Sequence, residues 1–321
     1  MEQFLNSIWF DLIMLVVGFV LLIKGADFFV EGSSGIAKKL RIPSIVIGLT
    51  VVSMGTSLPE LSASTQAALA GSNEIAISNV VGSNLFNLMV VVGCCAIMAK
   101  ISVDDTMVKR DIPISIGAAI LLAVLGVIGF AIGRIDAAIL LCLFIAFVTM
   151  LVVYAMKNRT SNDDGDETKD RSAIVSLLFI IGGVAAVVFG GDFVVKSAKD
   201  IAVSFGMSEN LVGLTIVAVG TSLPELVTSI VAARKNEVEL ALGNAVGSNI
   251  FNVLGILGVA GVISPMTVIT DNLIDIAILV VFSAIVWAVS AKKRRLDKID
   301  GVWMVLLYVA FAAYIVVRDM A

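Results

Sequence analysis

The sequence contains no histidine, and only 15% of its 321 residues are charged. Histidine is the commonest transition-metal ligand and the side chain that titrates nearest neutral pH. Its absence excludes histidine metal centres, histidine proton relays and histidine-based triads. Soluble domains carry about 25% charged residues. The shortage of charge, with 59% hydrophobic residues and a mean hydropathy of +1.05, therefore excludes a water-soluble fold. Cysteine is also scarce. Cys94, Cys95 and Cys142 lie in apolar stretches without metal-ligand spacing and read as small core residues. A net charge of −4 gives no reason to expect nucleic acid as a partner.

What the chain has in quantity is long apolar runs. About 20 apolar residues cross the bilayer core, so a span with its loop takes about 30. The chain holds about ten such units and leaves no room for a separate soluble domain. The runs fall at 8–31, 43–70, 74–99, 112–132, 135–156, 173–198, 208–233, 238–263, 273–291 and 300–317. The start, Met-Glu-Gln, has no basic region, and the first run exceeds signal-peptide length, which predicts an uncleaved first helix. The expectation is an all-α polytopic membrane protein of ten transmembrane helices.

The basic residues test this reading. If the loops are numbered alternately, one side holds 17 of the 22 Lys and Arg residues and the other holds four, Arg134, Lys196, Lys199 and Arg318. Lys24 lies within a helix. A missed span would scramble this alternation. The positive-inside rule puts the basic side in the cytoplasm and both termini outside.

The strongest feature is a duplication. Residues 48–93 and 213–258 align without a gap at an offset of 165, with 24 identities in 46 positions. GADFFV (25–30) matches GGDFVV (190–195) at the same offset. The chain divides into a five-helix repeat at 1–156, a cytoplasmic linker at 157–172 and a second five-helix repeat at 173–321. Five is odd, so the second repeat enters the membrane inverted relative to the first. Inverted repeats with interrupted helices are the architecture of secondary transporters, with the substrate site at the midplane.

Glu60 and Glu225 sit mid-span, each closing a GTSLPE motif. A carboxylate at that depth costs about 2.5–3.5 kcal/mol and marks a candidate functional site. No Lys or Arg lies in either motif, so a bound cation supplies the missing positive charge most simply. Pro59 and Pro224 lack an N–H and clash four residues back, near Gly55 and Gly220, which frees carbonyls. Thr56 and Ser57 share the face of Glu60, and Thr221 and Ser222 that of Glu225. The next helix of each half adds an i, i+4 pair, Ser83 with Asn87 and Ser248 with Asn252. All are oxygen donors. Calcium takes six to eight oxygens at flexible geometry, and two bidentate Glu with two Thr carbonyls supply about six. Without histidine, or cysteine in the motifs, a soft metal is not favoured.

GTSLPE followed by NxxGSNxFN, once in each half, resembles the sodium/calcium exchanger family of the cation/calcium exchanger superfamily. The likeness spans essentially the whole chain. It implies that Glu60 and Glu225 are the central calcium carboxylates, serving sodium as well, and that Thr56 and Thr221 bind calcium through backbone carbonyls. It implies that Ser57, Ser83, Ser222 and Ser248, with the carbonyls of Ser53 and Ala218, form flanking sodium sites, and that Asn87 and Asn252 line the middle. Helices 1 and 6 of the family are thought to slide across the rigid remainder. Potassium-dependent members carry Asp where this chain has Asn252, so the resemblance implies a potassium-independent exchanger. The large cytoplasmic regulatory region of eukaryotic members has no counterpart in a linker at 157–172.

The expected activity is antiport of sodium against calcium by alternating access, in the cell membrane, with no cofactor and no obligatory protein partner. A calcium/proton antiporter and a passive cation channel remain open on the residues alone. An enzyme is not expected, because no nucleophile–base pair can be assembled. Outside the repeats, Asp27 is expected to pair locally with Lys24. The acidic run at 163–167 is expected to be a solvated linker, and Lys292–Arg295 a topology anchor attracted to anionic lipid.

Overall fold

The computed structural model describes residues 2–71, 73–158, 172–207 and 218–320. Among these, eight helices are long and apolar enough to cross a membrane, and a bent pair adds a ninth candidate. This is a multi-pass membrane protein. A chain in hydrocarbon must satisfy its backbone internally, and runs of this composition do so as helices. In chain order they are α1 (Glu2–Leu40), α2 (Ser44–Thr56), α3 (Leu58–Leu69), α4 (Ile75–Met98), α5 (Met107–Val127) and α6 (Arg134–Lys157). There follow α7 (Ala173–Ser204), α8 (Ala218–Gly220), α9 (Leu223–Arg234), α10 (Val238–Ile263), α11 (Thr270–Lys293) and α12 (Lys298–Met320).

The pair α2 and α3, bent by 49°, fills the stretch expected at 43–70. Of the stretch expected at 208–233, residues 208–217 lie outside the described ones, and the remainder is α8 and α9. Most of the linker expected at 157–172, with its acidic run, also lies outside them.

Three helices depart from expectation by five residues or more. The first helix runs to Leu40 rather than 31, because its polar end packs against α7, where Gly32 meets the Ser176 carbonyl. Its 39 residues span about 58 Å, roughly twice the hydrocarbon core. The sixth expected run, placed to end at 198, continues as α7 to Ser204. Helix α5 begins at Met107 and ends at Val127, five residues before the span expected at 112–132. The buried Asp111 is neutralised by Arg110 at 2.7 Å, so a charged turn can join the helix. Ala131–Ile132 instead forms a short strand.

Four two-residue strands tie the helix ends. β1 (Ile101–Ser102) pairs with β4 (Arg295–Leu296), and β2 (Ala131–Ile132) pairs with β3 (Met266–Thr267), both antiparallel. The repeat offset of 165 carries β1 onto β3; downstream, where Ile135-Asp136-Ala137 resembles Ile299-Asp300-Gly301, the offset is 164 and carries β2 onto β4. The two ladders therefore exchange under the repeat.

The crossing of α1 with α7 behaves the same way. Gly18 meets Gly190 and Gly25 meets Gly183, so the helices run antiparallel. At the offset of 165, Gly18 corresponds to Gly183 and Gly25 to Gly190. A Cβ on Gly183 would lie 2.6 Å from the Phe29 nitrogen and 2.8 Å from the Gly25 carbonyl oxygen, so only glycine permits this approach. The centre of the molecule is α4 and α10, with 78% and 83% of their apolar windows buried against 22% to 33% in the other long helices. The candidate site lies on these two helices and on the breaks between α2 and α3 and between α8 and α9.

Candidate ion-binding site

Helix α2 stops at Thr56. Ser57 leaves helical geometry (φ −86°, ψ 14°), and α3 restarts at Leu58 with Pro59 in its first turn. Pro59 offers no N–H to the Gly55 carbonyl, which accounts for the break. Ser222 (φ −93°, ψ 6°) repeats the geometry before α9, with Pro224 in its first turn. Glu60 and Glu225 thus occupy the first turns of α3 and α9. The positive end of the helix dipole favours a carboxylate there.

The expected residues converge. Glu60, Glu225, Ser53, Thr56, Ser57, Asn87, Ser222, Ser248 and Asn252 are fully buried, and Ser83 nearly so. The two halves grip one another crosswise. Ser57 Oγ donates to Glu225 Oε1 at 2.7 Å, and Ser222 Oγ donates to Glu60 Oε1 at 3.2 Å. Ser83 Oγ also donates to Glu60 Oε1, at 3.0 Å, and lies 2.6 Å from Ser222 Oγ. Ser57 Oγ lies 3.1 Å from Ser248 Oγ, which in turn donates to the Ser53 carbonyl at 3.4 Å.

After these bonds, Oε2 of Glu60 and Oε2 of Glu225 are buried with no partner among the described residues. So are Oδ1 of Asn252, both amide atoms of Asn87 and Oγ1 of Thr221. Among the described residues, no Lys or Arg forms an ion pair with either glutamate. Leaving two carboxylate oxygens uncompensated in low dielectric is costly. The donor set is all oxygen, which matches a hard cation and not a soft one. Thr221 is half-buried at the same break, and Ala218 begins α8 just before it.

Three features of the site are not legible in the sequence. Asn87–Val91 and Phe251–Ile256 are π-helical turns within α4 and α10, at matching repeat positions. Such turns recur at functional sites and re-aim the side chains at their start, here Asn87 and Asn252. Asn84 and Asn249 donate to each other's backbone carbonyls at 3.1 and 3.2 Å, and Asn252 Nδ2 donates to Asn84 Oδ1 at 3.1 Å. Asn244 accepts from Thr56 Oγ1 at 3.1 Å. The available signal was repetition, since all these asparagines recur at the offset of 165.

The reading of Asp27 is corrected. Its carboxylate pairs with Lys235, from the end of α9, rather than with Lys24, and Lys235 Nζ also donates to the Asp27 carbonyl at 3.2 Å. A basic residue placed N-terminal to its acid is the poorer helical order, and Lys24 is exposed. In the basic run, Lys293 bonds Asp300 at 2.7 Å and Arg294 reaches Asp105 at 2.8 Å, so these two hold the loops together.

Comparison with known proteins agrees with this geometry. The family model for sodium/calcium exchanger proteins matches residues 10–153 and again residues 175–317. The sodium/calcium exchanger MaX1 of Methanosarcina acetivorans is 32% identical over 94% of this chain and 97% of its own length. The inner membrane protein YrbG of Escherichia coli is 30% identical over 92% and 96%. A solved structure of the sodium-calcium exchanger NCX_Mj superposes with a TM-score of 0.84 at 32% identity, covering 95% of this chain and 99% of that one. With both halves matched, and with relatives that share nearly its full length, the chain belongs to the sodium/calcium exchanger family.

Proposed function

We propose that this protein exchanges sodium for calcium across the cell membrane by alternating access, independently of potassium. The observation that carries the reading is the pair of buried, unpartnered carboxylate oxygens on Glu60 and Glu225, set in an all-oxygen cluster. Calcium binds between the two carboxylates and the carbonyls of Thr56 and Thr221. Sodium occupies flanking positions formed by Ser57, Ser83, Ser222 and Ser248 with the carbonyls of Ser53 and Ala218. Asn87 and Asn252 close the middle as neutral donors. Both ions need the same two carboxylates, so they cannot ride together, and that competition couples their movement.

The architecture of this reading is ten helices in two inverted halves, 1–156 and 173–321, joined by a cytoplasmic linker at 157–172, with both termini outside. The exchanging strand ladders and the self-mapping crossing of α1 with α7 support it. So does the distribution of basic residues. The protein works in the lipid bilayer with no cofactor and no obligatory protein partner.

The test is radiolabelled calcium flux in proteoliposomes with sodium, potassium and proton gradients imposed one at a time. Flux driven by sodium alone is expected. A potassium requirement would overturn the ion selectivity, and flux driven by a pH gradient without sodium would overturn the coupling. Flux with no counter-ion would mean a channel.

A further inference from the structure

The two threonines whose carbonyls are assigned to calcium do not have equivalent surroundings. Thr56 is fully buried, and its Oγ1 donates to Asn244 Oδ1 at 3.1 Å. The orientation of the Asn244 amide is fixed from the other side. Its Nδ2 donates to Ser229 Oγ at 2.9 Å and to the Glu225 carbonyl at 3.4 Å, which leaves Oδ1 for the threonine. The repeat partners of Thr56, Asn244 and Ser229 are Thr221, Asn79 and Ser64. Asn79 is held in the same way, with Nδ2 donating to Ser64 Oγ at 3.1 Å. Thr221 Oγ1, however, is buried with no hydrogen-bond partner among the described residues, and the residue is half-buried. The threonine bond is made in one half and open in the other. Helix α8, which ends one residue before Thr221, packs against α4, which carries Asn79, as the end of α2 packs against α10, which carries Asn244.

We propose that Asn79 and Asn244 are positioning residues that engage Thr221 and Thr56 alternately. In the arrangement described above, Asn244 holds Thr56 and closes the half of the site formed by α2. In the opposite arrangement Thr221 Oγ1 donates to Asn79 Oδ1, Thr56 releases Asn244, and the half formed by α8 closes. Each bond fixes the end of a broken helix, and with it the carbonyl of the threonine that faces the ion. This rests on the ion-exchange reading given above, in which one half closes the cytoplasmic path and the other the external path.

The experiment compares Asn79→Ala and Asn244→Ala in oriented proteoliposomes, measuring half-saturating calcium at each membrane face. Losing a bond that only one state makes shifts the balance of the two states by about fivefold. The apparent affinity at each face scales with the population of the state open to it. The ratio of the two half-saturating concentrations is therefore expected to move about fivefold in one direction for Asn79→Ala and in the other for Asn244→Ala. Opposite signs are expected whichever face is cytoplasmic. A merely structural asparagine lowers expression or maximal rate and leaves that ratio alone.

A second measurement does not need transport. In a background with Cys94, Cys95 and Cys142 changed to Ala, the pairs Thr221→Cys with Asn79→Cys and Thr56→Cys with Asn244→Cys are cross-linked by oxidation. One pair is expected to close when the other opens as sodium and calcium are exchanged between the two sides. Ratios that shift in the same direction, or by less than about twofold, would overturn the proposal, as would both pairs cross-linking under the same conditions. Absence of sodium-driven flux in the unmodified protein would instead overturn the ion-exchange reading, while reciprocal cross-linking would still report the alternation.

Discussion

Glu60 and Glu225 are each held by a serine from the opposite half, so a pair of crossed hydrogen bonds positions the two carboxylates. Replacing either glutamate by glutamine leaves the volume and removes one negative charge. A calcium ion bound there as proposed then leaves an uncompensated charge among fully buried residues. An unmatched charge at bilayer depth costs about 2.5–3.5 kcal/mol, so Glu60→Gln and Glu225→Gln are each expected to lower sodium-driven calcium uptake about a hundredfold or more. Full uptake in either purified variant would remove the carboxylates from the mechanism. Ser57→Ala is a milder case. It removes a charge-assisted bond at 2.7 Å, a type that contributes about 1.5–3 kcal/mol. Calcium binding, read by calorimetry, is expected to weaken at least tenfold while the protein stays folded. The glutamates, threonines and serines of this cluster were legible in the sequence because carboxylates in an apolar run demand an explanation. The asparagine contacts were not. Whether Asn84 meets Asn252 or Asn87 depends on the phase of a π-turn, and no residue pattern in the chain announces that turn.

Under the proposed exchange by alternating access, the element expected to move is the antiparallel crossing of α1 and α7, where backbones touch at Gly25 and Gly183. A methyl group at Gly183 meets backbone atoms of Phe29 and Gly25 inside 3 Å, and backbone cannot swing aside as a flexible side chain can. Gly183→Ala is therefore expected to lower the thermal midpoint and to slow exchange more than it weakens calcium binding; binding lost in proportion to rate would refute a role in movement. The same crossing shows why helix ends were harder to read than helix centres. Hydropathy locates the apolar middle of α1, but its last residues are polar and stay helical because of what they pack against. Lys235 was likewise invisible as the partner of Asp27, 208 residues away, because only the packing of α1 on α9 joins them. Lys235→Gln is expected to loosen that contact and to raise the rate at which cysteines placed along this end of α1 react with a water-soluble maleimide. An unchanged rate would mean that the ion pair does not restrain the helix.

At the scale of the whole molecule, two halves built on one motif meet at a single cluster, and under the proposed function the charge of that cluster sets how transport responds to voltage. The two carboxylates contribute −2, and neither Asn87 nor Asn252 adds to it. One calcium ion brings the total to zero. Moving an elementary charge through 100 mV is worth about 2.3 kcal/mol, so a carrier whose loaded site is neutral feels none of that field in the calcium step. Exchange of labelled for unlabelled calcium, at equal concentration on both sides and without sodium, is therefore expected to proceed at the same rate with and without an imposed diffusion potential of about 100 mV. The sodium step is where voltage can enter. Two sodium ions also neutralise the site, and a third would travel as net positive charge. Calcium self-exchange that changes several-fold with potential would mean that a further charged group moves with the ion, and the count of two carboxylates would then be wrong.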